Sequence, residues 1–435
     1  MPVHFGTDGI RGLVPDEINV KLAYRLGRAV AEVFVAPVYV GYDTRESSPS
    51  LAQAVLAGLA DGGASGVNLG IFTTPGVAVI AQQRNGVGIV VSASHNPYHD
   101  NGLKVLNLGG GKLDRTTEEA VENALSNTDA PTTLDFLEVE VDESAQHDYA
   151  HHLRKLVPND LTGLHIVLDC SNGAASYVAH ELFEATGARI TAINDQPDGQ
   201  NINLNCGSTK PAGLSAKVLE LKADLGLAFD GDADRLIAVD ANGVVRDGDD
   251  IMVLLTLDRI NSGTLGGGLA VTQMSNLGLH RVMREAHVEV VETEVGDRNV
   301  LLALEERAWI LGGEQSGHII FRELAPTGDG MLTGLFVADL VMRHGSLSEQ
   351  ADRAWLRVPQ ALINIAKDEF NTVQVESIFS RLMTEYAVDP ADVRLLIRPS
   401  GTEPVVRVMI EALNAEFVTT FGQELHALFG DSSES

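Results

Sequence analysis

The chain is short of positive charge and of cysteine. Its 435 residues carry 31 lysines and arginines against 60 aspartates and glutamates, a formal net charge of −29. A field of that sign repels nucleic acid and anionic membrane surfaces, so neither is expected as a partner. It also opposes any phosphorylated substrate, and a phosphate site here requires a local cluster of arginine and lysine. Cys170 and Cys206 are the only cysteines, which excludes a disulfide framework and points to a reducing compartment. There is no run of 18 apolar residues, and Met1-Pro2-Val3-His4-Phe5-Gly6 lacks a basic segment followed by an apolar one. A cytoplasmic protein is expected. Nucleotide and hydrolase signatures are missing too. Gly110-Gly111-Lys112 is followed by Leu113 and lacks the upstream glycine of a Walker loop, no Gly-x-Gly-x-x-Gly follows a strand, and no Gly-x-Ser-x-Gly elbow occurs.

What is present is an ordinary globular composition, 44% apolar and 21% charged, in a chain too long for one hydrophobic core. Strand and helix patterns alternate from Val38. Strands are expected at Val38 to Val40, Val67 to Ile71 and just before Ser92, with helices at Leu51 to Leu59 and Gly76 to Gln83 between them. The pattern recurs with strands at His165 to Asp169, Arg189 to Ile193 and Leu225 to Phe229, and helices at Ala174 to Thr186 and Leu214 to Lys222. A third round has strands at Leu269 to Thr272 and Trp309 to Leu311, and helices at Ile251 to Ile260, Leu277 to Glu285 and Asn299 to Glu306. Such alternation predicts three similar α/β domains with mixed, mostly parallel sheets. The tail, with strands at Leu362 to Ile365, Arg394 to Ile397 and Val405 to Ile410, reads as a smaller α+β domain. Boundaries fall near Pro158, Asp247 and Pro359, which divides the chain into 1–155, 156–249, 250–357 and 358–435.

Four loops carry chemistry. Ser92-Ala93-Ser94-His95-Asn96-Pro97 follows the apolar run Val87 to Val91, and a hydroxyl at the carboxyl end of a buried strand is where open α/β sheets place their reactions. Ser94 is the candidate nucleophile. His95 adjoins it, but neighbouring side chains in an extended loop diverge, so no serine–histidine pair is expected. Asp230-Gly231-Asp232-Ala233-Asp234-Arg235 follows the strand ending at Phe229. Three carboxylates at alternate positions can converge on a hard cation. A calcium loop is excluded, because its sixth and twelfth positions are Arg235 and Ala241 instead of glycine and glutamate. Arg398-Pro399-Ser400-Gly401-Thr402-Glu403-Pro404, with Arg407 beyond, offers hydroxyls, a glycine turn and two arginines to a phosphate. Gly313-Glu314-Gln315-Ser316-Gly317-His318 supplies a carboxylate, a hydroxyl and an imidazole able to read sugar hydroxyls. Arg11, in Gly6-Thr7-Asp8-Gly9-Ile10-Arg11-Gly12, and Lys104, in Asn101-Gly102-Leu103-Lys104, complete the set. Read alone, these loops leave open an acidic surface turn, a plain strand-to-strand turn and a solvated lysine.

Taken in order along the chain, the loops resemble those of the α-D-phosphohexomutase family. The resemblance implies four domains around a central cleft and a phosphoserine at Ser94. Asp230, Asp232 and Asp234 would bind one Mg2+ per subunit together with a phosphoserine oxygen. It implies that Arg235 holds the phosphoryl group, that Lys104, His318 and Arg11 serve catalysis, and that Glu314, Ser316 and Arg298 bind the sugar. Arg398, Ser400, Gly401, Thr402 and Arg407 would hold the distal phosphate. The Glu-Gln-Ser-Gly-His loop is similar to that of members acting on an amino sugar. Interconversion of glucosamine 6-phosphate and glucosamine 1-phosphate through glucosamine 1,6-bisphosphate is then implied, on the way to UDP-N-acetylglucosamine and cell-wall precursors. The same chemistry on glucose or mannose phosphates, or a non-catalytic sugar-phosphate-binding protein, is the alternative. Tyr42 and Asn299 stand where the family more often has arginine and an aromatic. Its bacterial members imply a homodimer.

Overall fold

Short apolar runs become strands wherever both faces can be covered. A computed structural model describes residues 5–6, 9–134, 139–157, 159–399 and 404–430. Pro158 and the segment 400–403 lie outside them. The chain forms two compact units, one of Met1–Met274 with Glu289–Arg353, the other of Ser275–Val288 with Ala354–Ser435.

The larger unit holds three sheets among its described residues. The first contains β1 (Ile10–Leu13), β2 (Val38–Tyr42), β3 (Gly66–Ile71), β4 (Val87–Val91) and β5 (Asp100–Leu106), in the order β1-β5-β4-β2-β3. The second contains β6 (His165–Asp169), β7 (Arg189–Ile193), β8 (Leu225–Phe229), β9 (Leu236–Asp240) and β10 (Val245–Arg246), in the order β10-β9-β8-β6-β7. The third contains β11 (Leu269–Thr272), β12 (Val290–Thr293), β13 (Leu311–Gly313) and β14 (Ile319–Phe321), in the order β12-β11-β13-β14. One plan repeats. In each sheet three parallel strands are followed by a fourth that runs antiparallel to the third, β5 on β4, β9 on β8 and β14 on β13. The third-to-fourth hairpin carries Ser94 in the first sheet, the three aspartates in the second and Glu314 to His318 in the third. β4, β6, β8 and β9 are buried at every residue, as expected of strands covered on both faces.

Helix ends follow local polar chemistry. Asn19 caps Val20–Val33 by accepting from Leu22 N, and Asp247 with Asp250 makes a capping box for Gly248–Asn261. The helix Gly330–His344 follows the third sheet in sequence, yet its Gly334 lies against Leu227 of the second sheet and Phe183 of the helix Ala179–Glu184 beside it.

Two sequence expectations shift. The helix read over Ala174 to Thr186 is a 3₁₀ turn, Ala174–Tyr177, and a short helix, Ala179–Glu184, because Val178 at φ −130° interrupts the helical backbone. The strand read at Trp309 to Leu311 is Leu311–Gly313. Ala308 ends the preceding helix in a left-handed turn and Trp309 N bonds back to Leu304 O, so extended pairing starts two residues later.

In the smaller unit β15 (Gln360–Ala366), β16 (Val393–Pro399) and β17 (Val405–Ala412) form an antiparallel sheet in the order β15-β17-β16. Helices Thr372–Glu385 and Ala415–Phe429 cover it, with Phe417, Phe421 and Ile410 in the core. The helix Leu277–Glu285 joins this unit. Asn276, its cap, donates to the buried Glu411 at 3.0 Å and to Val358 O at 3.0 Å.

Candidate active site

Ser94 lies at the end of β4, buried, with φ +51°. The left-handed backbone turns the loop so that its side chains converge. Ser94 Oγ donates to Asp230 Oδ2 at 2.6 Å and also lies 3.2 Å from His95 Nδ1. The expected divergence of Ser94 and His95 therefore fails, because it assumed an extended loop. Burial, with Arg235 and Arg11 nearby, pushes the His95 imidazole down to about 4, so it is neutral at neutral pH.

The aspartate loop brings three buried carboxylates together, one oxygen of each lying within 4.8 Å of the others. Asp230 takes the serine hydroxyl and the Arg235 backbone N–H. Asp232 Oδ2 accepts from Thr74 Oγ1 at 2.6 Å and from Lys104 Nζ at 2.8 Å. Lys104 Nζ also lies 3.6 Å from Asp234 Oδ2. Asp232 Oδ1 is buried with no hydrogen-bond partner, and Asp234 Oδ1 is buried with His318 Nδ1 at 3.6 Å and Arg235 Nε at 3.9 Å as its nearest polar neighbours, so both carboxylates keep an oxygen available to a further cation. The donor set is all oxygen, which fits Mg2+. Charge is divided unevenly within the cluster. Burial, then Asp234 and Asp232, raises the Asp230 carboxyl well above the usual range. Burial is the largest single influence on Asp234 as well, but Lys104, His318 and Arg235 together overcome it and hold that carboxyl low. Arg235 is kept charged against its burial by Asp230, Asp234 and Glu314.

The third loop reaches the same cluster. His318 Nδ1 is 3.6 Å from Asp234 Oδ1, and its Nε2 is 3.3 Å from Asp297 Oδ2. Burial opposes its charge, but Asp297, Asp234 and Glu314 raise it to about 9. Gly328 gives the ring room, since a Cβ there would meet His318 Nε2 at 2.3 Å. Glu314 is buried and its Oε1 accepts from Gly296 N at 3.1 Å, while Ser316 is exposed. Gln315 Nε2 donates to Asp249 Oδ2 at 3.3 Å. Arg298 Nη1 is engaged by Glu118 Oε2 at 2.6 Å. Arg11 sits on β1 opposite Gly102 and bears on His95.

In the smaller unit Arg398 and Arg407 face each other across β16 and β17. Burial and then the like charge of Arg407 lower the affinity of Arg398 for its proton, and Arg398 Nε is buried with no hydrogen-bond partner. Two guanidiniums held in register are stabilised by an anion such as phosphate. Ser400, Gly401 and Thr402 lie outside the described residues.

Sequence reasoning did not single out Thr74 or Asp297, nor Arg45 and Asn203, which donate to Ser94 O, nor Asp43, which accepts from Arg45 Nε. Asp43 and Arg45 had a signal, since they follow β2 at the same end of the sheet as Ser94. Thr74, Asp297 and Asn203 reach the site from separate elements, and nothing local to them announces it.

Models described as the α/β/α domains I, II and III of phosphoglucomutase/phosphomannomutase match residues 2–132, 147–243 and 247–358, and that of its C-terminal domain matches 367–425. The chain is similar to phosphoglucosamine mutase of Rhodococcus opacus, 42% identical over 435 residues, 97% of this chain and 98% of the relative. That of Thermobifida fusca is 43% identical over 427 residues, covering 95% and 94%. Among solved structures, a phosphoglucomutase/phosphomannomutase family protein from Burkholderia thailandensis superposes with a TM-score of 0.79 at 24% identity, covering 98% of both chains. Aspergillus fumigatus N-acetylphosphoglucosamine mutase in complex with GlcNAc-6P and magnesium superposes with a TM-score of 0.67 at 17% identity, covering 98% and 95%.

Proposed function

The chain belongs to the phosphoglucomutase/phosphomannomutase family, and on that premise we propose that it interconverts glucosamine 6-phosphate and glucosamine 1-phosphate, as an enzyme working in the cytoplasm. The observation that carries the reading is near full-length identity of 42–43% to proteins named phosphoglucosamine mutase. The convergence of Ser94, three aspartates, Lys104 and Arg235 supports the chemistry.

In this reading the four domains are 1–155, 156–249, 250–357 and 358–435. Ser94 carries the phosphoryl group. It passes to the free hydroxyl of the sugar, the Ser94 Oγ–P bond breaking as the sugar O–P bond forms, and the proton of the sugar hydroxyl ends on the released Ser94 Oγ. The product is glucosamine 1,6-bisphosphate, which returns its other phosphoryl group to Ser94. Asp230, Asp232 and Asp234 would hold Mg2+, which supplies positive charge to the phosphoryl oxygens. Arg235 lies beside these carboxylates and adds a fixed cation there, and such positioning and charge neutralisation are the main demands of phosphoryl transfer. On the return step Ser94 Oγ loses its proton along the bond it already makes to Asp230. His318, a cation at neutral pH, orients the sugar and offsets phosphate charge, and Lys104 moves the sugar proton. Arg11 adds a further positive charge beside the Ser94 loop. Glu314, Ser316 and Arg298 bind sugar oxygens. Arg298 must leave Glu118 to do so. Arg398 and Arg407, with Ser400, Gly401 and Thr402, grip a phosphate monoester. The family's homodimer belongs to the reading and is checked by sedimentation.

Initial rates on glucosamine, glucose and mannose 6-phosphates test it, with Mg2+ and the matching 1,6-bisphosphate. Glucosamine 6-phosphate is expected to lead by about a hundredfold, roughly 2.7 kcal/mol of transition-state preference. A lead by glucose or mannose overturns the substrate. Ser94→Ala is expected to abolish turnover, and retained activity in that variant overturns the mechanism.

A further inference from the structure

Among the described residues Arg45 is the largest side chain that the fold encloses, 1% exposed. Its guanidinium is spent on the backbone of one loop. Nη2 donates to Ser94 O at 3.0 Å and to Asn96 O at 2.9 Å, and Nη1 donates to Pro97 O. Its Nε donates to Asp43 Oδ2 at 2.9 Å. The same carboxylate accepts from Ser92 Oγ at 2.6 Å and, at Oδ1, from Ser48 Oγ at 2.7 Å, and Ser92 Oγ in turn accepts from Ser94 N at 2.9 Å. The buried pair is thus fully satisfied by its surroundings, the condition under which burying two charges is tolerated.

From the second sheet's side Asn203 Nδ2 donates to Ser94 O at 2.9 Å and Asn96 O at 3.1 Å, two of the carbonyls that Arg45 holds. Gly231 of the aspartate loop lies so close that a Cβ there would sit 2.5 Å from Ser94 O. Two side chains therefore donate to one carbonyl and a third segment packs close to it, the carbonyl being that of a non-glycine residue held at φ +51°. Left-handed backbone persists at a serine only where surrounding contacts impose it.

We propose that Arg45 and Asn203 form a clamp that positions Ser94 for phosphoryl transfer by fixing its left-handed backbone, with Asp43 holding Arg45. Arg45 is too deeply enclosed to touch a ligand. Its effect passes through the Ser94 loop, whose relaxation towards ordinary extended backbone would swing Oγ away from Asp230. Misplacement of a reacting atom by about 1 Å can cost about a hundredfold in rate. The clamp rests on the proposed phosphoserine chemistry.

The test uses the full-length enzyme, with phosphorylation confirmed by intact mass and folding by thermal melting. Arg45→Lys is expected to lower kcat by about a hundredfold and Asn203→Gly by about tenfold, with KM for glucosamine 6-phosphate within about threefold of the parent. Asn203 is half-buried with φ +58°, so glycine removes the amide without straining the backbone, and this variant decides the matter if Arg45→Lys does not fold. The rate at which glucose 1,6-bisphosphate phosphorylates Ser94, followed by mass, is expected to fall in parallel. The double variant is expected to lose less than the product of the single losses, because both groups share the same acceptors. Folded variants with unchanged kcat, or with KM raised as much as kcat falls, overturn the clamp. If the phosphorylated parent turns over no hexose phosphate, the proposed function fails, and the phosphorylation rate alone still decides the clamp.

Discussion

Asp329 shows how one buried carboxyl can write itself into the stability of the whole protein. It caps Gly330–His344 by accepting from Met331 N and Leu332 N, and it takes the Tyr149 hydroxyl at 2.9 Å. Burial still dominates and raises it from 3.8 to about 6. Between those values the folded chain holds a proton that the unfolded chain has released. Stability is therefore lost as pH rises through this window, by up to about 3 kcal/mol for a shift of about two units. Asp329→Asn, which keeps an oxygen for the cap, is expected to gain on the parent by that order between pH 4 and pH 7 in urea unfolding. A difference curve of opposite slope would contradict the cause given. Such a role is invisible in the sequence, where Asp329 reads as a turn residue before a helix. Ser94 and the three aspartates are visible, because a polar loop after a wholly apolar strand is a local pattern.

At the scale of elements, the sheets repeat one order of strands while the helices between them end by local rules. Lys222 closes the helix Ala212–Leu221 at φ +51° with its side chain exposed. Glycine adopts that conformation without a Cβ penalty, so Lys222→Gly is expected to stabilise the protein by about 0.5 to 1 kcal/mol, read as a higher melting temperature. A lower one would mean that the lysine makes contacts of its own. The parallel strands β2, β4, β6, β8 and β11 are legible as short apolar runs. The antiparallel partner β5 is not, because it opens on Asp100-Asn101-Gly102 and only pairing with β4 makes it a strand, whereas β9 is an apolar run, Leu236 to Val239, that the alternation of strand and helix passed over.

For the whole molecule the net charge of −29 acts at long range, whereas in the proposed function Arg235 in one unit, and Arg398 with Arg407 in the other, would each act only at short range on a phosphate. At about 0.01 M salt the screening length is roughly 30 Å and the overall repulsion of a sugar phosphate is felt, while at about 0.1 M it is roughly 10 Å. The value of kcat/KM is therefore expected to rise across that range, and a steady fall would show that local attraction governs encounter. Among the described residues no helix is long and apolar enough to cross a membrane, and Cys170 and Cys206 are free and buried. The sequence by itself determined the α/β rhythm, the acidic field and the loops holding Ser94, Asp230, Asp232, Asp234 and Glu314, because strands, turns and charge are properties of neighbouring residues. Only the tertiary structure decided that three hairpins occupy equivalent places in three sheets, that Thr74 and Lys104 meet Asp232, that Glu118 occupies Arg298, and that Arg45 and Asn203 grip the Ser94 loop. Those contacts join residues roughly 50 to more than 150 positions apart, and such pairings arise from packing, which no local pattern records.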